Sequence, residues 1–552
     1  QNRLQEAARS YQRALLFNPD LLEAHFYLGQ LFQGQKQLET AERAYRYVLS
    51  KHPGHVGSYK RLGDVLAESG KLRDWFENLK LFQTRCPQSM VMASSALEAC
   101  QFMGDFKGVE LFLDGLRKGR FKAENPAELV EVLNLLRYQF LFFDVEPEFS
   151  LRLDRLYDMA MQKTFGTPLP CASERKPGKI RVGYLSANFY DHVMGWMAWQ
   201  AIQHHDKEKF ELFFYSLNGQ RDLVTEQFLQ LADHFHFLPG LGEHELANRI
   251  SADDLDILVD LSTNTPGSRP GILALKPARV QITHIASSGT VGLSAVDFKL
   301  TDHDADLPEM QPYQIETFLP MQGCVYPYAP IEEAAEHPYH RASLGIAEGA
   351  VLIGAFVVPT KLSARCLALW KQVLERIPQA KLVFSPFFSA HTQSYQNLMK
   401  SAGITEDRYL FLPMPTKMAS RQARYSIIDF VLDPMPYGNV NGTLEPLSAG
   451  VPVVTLVGRR HGERSSYSIL KNLGETRTVA HGGKEYVEIA VRLSSDKTFM
   501  AEVREGIRRG MAHSPLVDMK QHCRNLEEAY IRALEMKAPE VLRETGNVLE
   551  RQ

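Results

Sequence analysis

The sequence predicts an α plus α/β chain: a helical repeat solenoid followed by two Rossmann-like domains. Three observations carry that prediction. Pro19, Pro53 and Pro87 are spaced by 34 residues, Leu28-Gly29 recurs as Leu62-Gly63 at the same interval, and Gly70 recurs as Gly104. From Lys179 onward, short apolar runs alternate with helical segments, the pattern of a parallel doubly wound sheet. That alternation restarts at Ala350, which calls for a second sheet.

The interval of 34 residues is the tetratricopeptide period. The block from Leu22 to His55 fits it best, with Leu28, Gly29, Phe32, Ala41, Tyr45 and Pro53 in place. Small residues let the two helices of a hairpin approach, aromatics fill the gap to the next hairpin, and Pro ends the second helix. Residues 1–20 supply only a second helix, and the chain opens QNRLQEAARS without a Met, so repeats are expected upstream. The third repeat decays, with Trp75 where Ala is expected, and a fourth from Met90 to Gly119 is weak, as in a capping unit. The expected organisation is repeats over 1–120, a helical linker region over 121–178, an N-terminal lobe over 179–345, a C-terminal lobe over 346–540, and a tail over 541–552.

Composition removes several function classes. The 552 residues are too many for one core. With 62 basic and 65 acidic residues the net charge is −3, which suits neither a nucleic-acid polyelectrolyte nor an acidic tail. Six scattered cysteines without a CxxC pair read as reduced thiols rather than a disulfide or metal framework. No apolar run reaches the length of a membrane span, and no signal-peptide core is visible. The expected setting is cytoplasmic.

In the first α/β half the expected strands are KIRVGYLS, KFELFFYSL, LDILVDLS (255–262), VQITHIA (280–286) and FKLTD (298–302). In the second they are AVLIGAF (350–356), KLVFSP (381–386), RYLFLP (408–413), FVLDP (430–434) and VPVVTL (451–456), with a helix at Ser363–Ile377. Two such halves joined near 330–350 make a GT-B-type architecture, whose site lies in the crevice outside the strand C-termini.

The segments IRVGYLSANFYDH, LDILVDLS, LKPARVQITHIASSGTVG, LIGAFVVPTKLS and LDPMPYGNVNGTLEPLSAGVPVVTL, in that order, resemble the O-GlcNAc transferase/SPINDLY family. Tetratricopeptide repeats ahead of the catalytic region are that family's arrangement. The resemblance implies an inverting protein O-glycosyltransferase that moves GlcNAc from UDP-GlcNAc to Ser/Thr hydroxyls, with no cofactor and no metal. It also implies protein or peptide acceptors bound along the repeats, and neither nucleic acid nor membrane as a partner.

Such a reaction must stabilise charge on a departing nucleotide diphosphate and hold the nucleotide, while an acceptor hydroxyl attacks from the opposite face. Lys361, at the mouth of the C-terminal lobe, is similar to the family's catalytic lysine, and an ammonium there can neutralise the leaving diphosphate. His192 resembles the family histidine that lines the donor and acceptor cleft, although Val193-Met194 replace the Pro-Thr that follows it. Gly289-Thr290 look like the Gly-Thr loop that faces the sugar and phosphates. Lys417 and Arg421 are placed to reach base or phosphate. The run GNVNGTLEPLSAG (438–450) leads into a helix read as capped by Thr443, whose free N–H groups suit a diphosphate. Glu445, read as lying in its first turn, takes the ribose-binding role that the family's acidic residue implies. Val440-Asn441-Gly442 stand where O-GlcNAc transferases carry His-Thr-Thr, and the GNVNG run is similar to bacterial adhesin N-glycosyltransferases. UDP-glucose or GDP-fucose as donor, Asn as acceptor, and a non-catalytic repeat protein with a degenerate transferase region therefore stay open. Asp302-His303-Asp304-Ala305-Asp306 has the spacing of a DxD metal site, but the two-lobed pattern and the resemblance make it a structural strand–turn.

Overall fold

The computed structural model describes residues 2–169, 175, 177–265, 267–284, 289–329, 339–342, 344–387, 392–413 and 423–549. The chain forms two compact units, one of residues 1–136 with 388–401, the other of 137–387 with 402–552.

The first unit is a helical solenoid. Leu22–Gly34 pairs with Leu38–Lys51, Val56–Glu68 with Leu72–Arg85, and Met90–Met103 with Phe106–Arg117. A Cβ on Gly29 would stand 2.7 Å from the Tyr45 ring, so only glycine permits this approach of the paired helices. Trp75, at the expected Ala position, is buried and meets Phe102 edge-on at 5.4 Å. The decayed repeat thus fills its gap with an indole. Helix Thr392–Ser401 leaves the second α/β region and packs here, Ser394 Oγ donating to the Phe102 carbonyl at 2.8 Å.

The second unit holds two parallel sheets. In the first, β1 (Ile180–Ser186), β2 (Phe210–Ser216), β3 (His234–Phe237), β4 (Ile257–Asp260), β5 (Val280–Thr283), β6 (Phe298–Asp302) and β7 (Thr317–Met321) lie in the order β3-β2-β1-β4-β5-β6-β7. In the second, β8 (Val351–Ala355), β9 (Ala380–Phe387), β10 (Tyr409–Pro413), β11 (Phe430–Leu432), β12 (Val453–Leu456) and β13 (Val479–Ala480) lie in the order β10-β9-β8-β11-β12-β13. Both are Rossmann-like, and the strand order reverses between β1 and β4 and between β8 and β11. The central strands are apolar on both faces, as helices covering both sides of a sheet require.

Three strands escape the sequence pattern: β3, β7 and β13. All are sheet edges, where a strand needs less apolar surface; β3 is HFHF, half-exposed, and β7 carries Pro320. The strand read as 280–286 stops at Thr283. Helix Met519–Lys537 returns to the first sheet, where Tyr530 meets Tyr184 (3.2 Å) and Glu527 meets His205 (2.9 Å). The stretch read as a tail carries helix Pro539–Leu549, with Val541 and Thr545 buried. Among the described residues no helix is long and apolar enough to cross a membrane.

Candidate functional site

The switch point of the second sheet gathers the C-terminal candidates. Beyond β8 the chain turns through the short helix Pro359–Lys361, and the Lys361 ammonium stands 4.5 Å from the centre of the Tyr437 ring. Lys361 keeps some surface as a residue, but its ammonium is packed round with protein. Burial pushes its pKa down to about 8, against the pull of Asp433. No hydrogen bond or ion pair consumes the ammonium among the described residues, so its donors remain for a ligand.

Asp433, directly after β11, organises this corner. It is 4% exposed, takes the Asn439 N–H at 2.9 Å and the Thr455 hydroxyl at 2.8 Å, and burial raises its pKa. Asn439 in turn donates its side-chain amide to the Phe356 carbonyl, which ties the loop before Lys361 to the start of helix Val440–Ser448. That helix begins three residues before Thr443. Thr443 is therefore not its cap: it lies inside, fully buried, paired with Ser466 Oγ at 2.8 Å. Asn439 occupies the N-cap without a side-chain cap bond, so among the described residues no side chain caps the first N–H groups, those of Asn441 and Gly442 included, the kind of donors that suit an anion.

Glu445 falls in the second turn rather than the first, because the helix starts early. Its place there does not rest on the macrodipole, which acts within the first turn. One oxygen, Oε2, takes the Tyr425 hydroxyl at 2.6 Å and Arg424 Nη2 at 2.8 Å. Buried Arg424 and Tyr425 fix the carboxylate through Oε2, and among the described residues no hydrogen bond is made to Oε1. Lys417 and Arg421 lie outside the described residues.

Loops of the first sheet face a cavity lined by Arg137, Asp154, Gly289, Thr290, Lys299 and Asp306 together with Tyr437 and His461 of the second lobe. Thr290 is held at both its hydroxyl and its carbonyl. Its hydroxyl donates to the buried Glu316 and accepts the Gly292 N–H at 2.8 Å, and its carbonyl takes Arg137 Nη2 at 2.8 Å and Asn264 Nδ2 at 2.7 Å. A Cβ on Gly292, at φ +68°, would stand 2.5 Å from Arg137 Nη2, so this loop needs glycine for both reasons. Arg137 and Asp154 come from the stretch read as a linker, which here supplies a wall of the cavity.

His192 is exposed and caps helix Val193–Ile202, its Nδ1 accepting the Met194 N–H at 3.1 Å. The neutral ring then carries its proton on Nε2. Partial enclosure lowers its pKa against the pull of Asp191. In this state His192 offers a hydrogen-bond donor, not a base.

The DxD run is consumed internally. Asp302 accepts from Val325 N (2.9 Å) and Ser468 Oγ (2.7 Å), Asp304 pairs with Lys471 (2.6 Å), and Asp306 takes His461 Nδ1 (2.6 Å) and Lys299 (3.0 Å). These partners would all have to be displaced to free the carboxylates for a cation.

The profile of Glycosyl transferase family 41 matches residues 150–316 and 334–526. The chain belongs to this family. Within it, the chain is 31% identical over 358 residues to an Arabidopsis thaliana protein named probable UDP-N-acetylglucosamine–peptide N-acetylglucosaminyltransferase SPINDLY, covering 64% of this chain and 39% of that protein. It is 25% identical over 415 residues to the Arabidopsis thaliana protein named likewise but SEC, covering 72% and 42%. The chain therefore spans about two fifths of the length of these relatives. The fold is shared with a mutant of the Thermobaculum terrenum O-GlcNAc transferase, at a TM-score of 0.71 and 24% identity over 97% of this chain and 94% of that one. The repeat solenoid followed by a GT-B-type pair of lobes is thus the architecture of this family 41 chain.

Asp433, Arg424, Tyr437, Glu316, Arg137 and His461 also belong to the site. Asp433 and Tyr437 sit inside the quoted LDPMPYGNVNG run and were legible as its polar and aromatic members. The others act through partners far along the chain and carry no local signature.

Proposed function

We propose that the protein transfers GlcNAc from UDP-GlcNAc to Ser/Thr hydroxyls of proteins, with inversion and without a metal. The observation that carries this reading is Lys361: a buried ammonium without a hydrogen-bond or ion-pair partner among the described residues, in the same corner as a helix N-terminus with no side-chain cap bond, at the switch point of the second sheet. Ammonium and helix N–H groups together suit a departing diphosphate. Glu445 Oε1 suits a ribose hydroxyl, and the internally paired DxD carboxylates support a reaction that needs no cation. The relatives' names supply the donor and the peptide acceptor. The repeats would present that acceptor, and the reduced thiols support a cytoplasmic setting.

Thermal shift with UDP, UDP-GlcNAc, UDP-glucose, GDP and GDP-fucose, with and without EDTA, tests the donor, because ligands of the native state raise the Tm by mass action. Stabilisation by UDP and UDP-GlcNAc that ignores EDTA, followed by GlcNAc transfer to a protein hydroxyl, is the expected result. Response to GDP compounds alone would move the donor to GDP-fucose, as the Val440-Asn441-Gly442 departure allows. Response to none would leave a repeat-based interaction protein.

The Lys361 pKa gives a second check. The ammonium is the working form, so kcat/KM should fall as pH rises through about 8. A profile flat to pH 9.5 would remove Lys361 from the charge-stabilising role.

A further inference from the structure

We infer that His461 is a positioning residue, which locks residues 460–462 to the first lobe and so holds Tyr437 and Gly438 in place beside Lys361. The inference rests on the transferase reading above. His461 is 5% exposed and both ring nitrogens are engaged by the first-lobe side. Nδ1 lies 2.6 Å from Asp306 Oδ2 and Nε2 lies 2.6 Å from the Tyr326 hydroxyl. A carboxylate can only accept, so Nδ1 donates to Asp306, and Nε2 shares a hydrogen bond with the Tyr326 hydroxyl. Asp306 is itself held by Lys299 (3.0 Å) and Thr301 Oγ1 (2.7 Å). Burial pushes its carboxyl up, but His461 and Lys299 outweigh that and keep it well below the ordinary range.

The two neighbours of His461 carry the lock outward. Arg460 Nη1 donates to the Phe143 carbonyl at 2.9 Å, which fixes the wall formed by 140–154. The Gly462 carbonyl takes the Gly438 N–H at 2.8 Å, at the start of the loop that leads to helix Val440–Ser448. Tyr437 is then held between the Phe142 ring, edge-on at 5.2 Å, and the Lys361 ammonium at 4.5 Å. With both nitrogens spent, His461 cannot serve as the base. Its contribution is the geometry between the lobes at Tyr437, whose ring lies against the Lys361 ammonium.

The test compares wild type with His461→Ala, His461→Asn and Tyr326→Phe for kcat, donor KM, UDP affinity and Tm. An Asn amide can replace Nδ1–H toward Asp306. His461→Ala should lose about 10–100-fold in kcat, the scale of a misplaced catalytic geometry, with UDP affinity within about twofold of wild type. His461→Asn should recover part of that loss. An unchanged kcat in folded His461→Ala overturns the inference, and so does a parallel fall of kcat, UDP affinity and Tm, which would mark a purely structural contact. Should His461→Ala fail to fold, Tyr326→Phe decides by the same split at smaller size, and wild-type kcat there overturns the inference. Wild type that transfers no sugar refutes the transferase reading, and the inference with it; wild type that transfers while His461→Ala equals it refutes the inference alone.

Discussion

Lys361→Ala should lower kcat by about 10²–10³-fold, the usual loss when one preorganised donor is removed from developing negative charge. UDP should still bind, because the helix Val440–Ser448 N-terminus and Glu445 are untouched. Lys361→Arg should rescue only in part: a guanidinium can stack on the Tyr437 ring, but its larger fixed fork presents its donors in a different geometry from the compact ammonium. Stability should move the other way. The folded pKa of Lys361 lies below its unfolded value, so the unfolded chain holds that proton more tightly. The resulting cost to the fold is fully present below about pH 8 and fades as pH rises toward the ordinary lysine value. Lys361→Met removes the buried charge and should leave the Tm at neutral pH equal or higher while transfer collapses. Wild-type turnover in Lys361→Ala or Lys361→Met, measured with radiolabelled donor and a protein acceptor, would end the assignment.

The same corner shows what a sequence can and cannot disclose. Lys361 follows a doubly apolar strand and a Pro-containing turn, so its place at the end of β8 was legible from the alternation alone. Helix Val440–Ser448 starts earlier than a Thr443 cap implies: Asn439, by type at least as good a cap, stands at its N-cap but spends its amide on the Phe356 carbonyl instead. Thr443, buried against Ser466, looks polar in sequence and is interior in fact. Edge strands β3, β7 and β13 lacked the apolar run that marks a strand covered on both faces. Glu316, Arg137 and His461 were beyond reach for a different reason. Each acts on a loop far away in sequence, as Arg137 does on Thr290, and no local pattern encodes such a pairing.

Arg137 and Asp154 also set the second large effect. They are 6% and 4% exposed and pair directly, Arg137 Nε donating to Asp154 Oδ1, with the guanidinium 4.4 Å over the Tyr157 ring. Asp154→Ala leaves a buried cation without its partner and should cost about 3–5 kcal/mol, seen as a lower denaturant midpoint. Burial pushes the Asp154 carboxyl above its ordinary range even with Arg137 beside it, while Arg137, pulled by Asp154, keeps its proton all the more firmly, so it is the carboxylate whose desolvation stays uncompensated. Arg137→Met with Asp154→Leu should therefore recover most of the lost stability, since apolar replacements of similar volume remove both penalties together. Transfer should not recover with it. Arg137 Nη2 is one of two donors on the Thr290 carbonyl, and after its loss only Asn264 holds that carbonyl from the side chains. The 289–292 loop would keep its fold and lose its alignment with Tyr437 across the cavity. A double variant as stable as wild type but slow in transfer separates the two duties of this pair; one that is both stable and fully active would reduce Arg137 to packing.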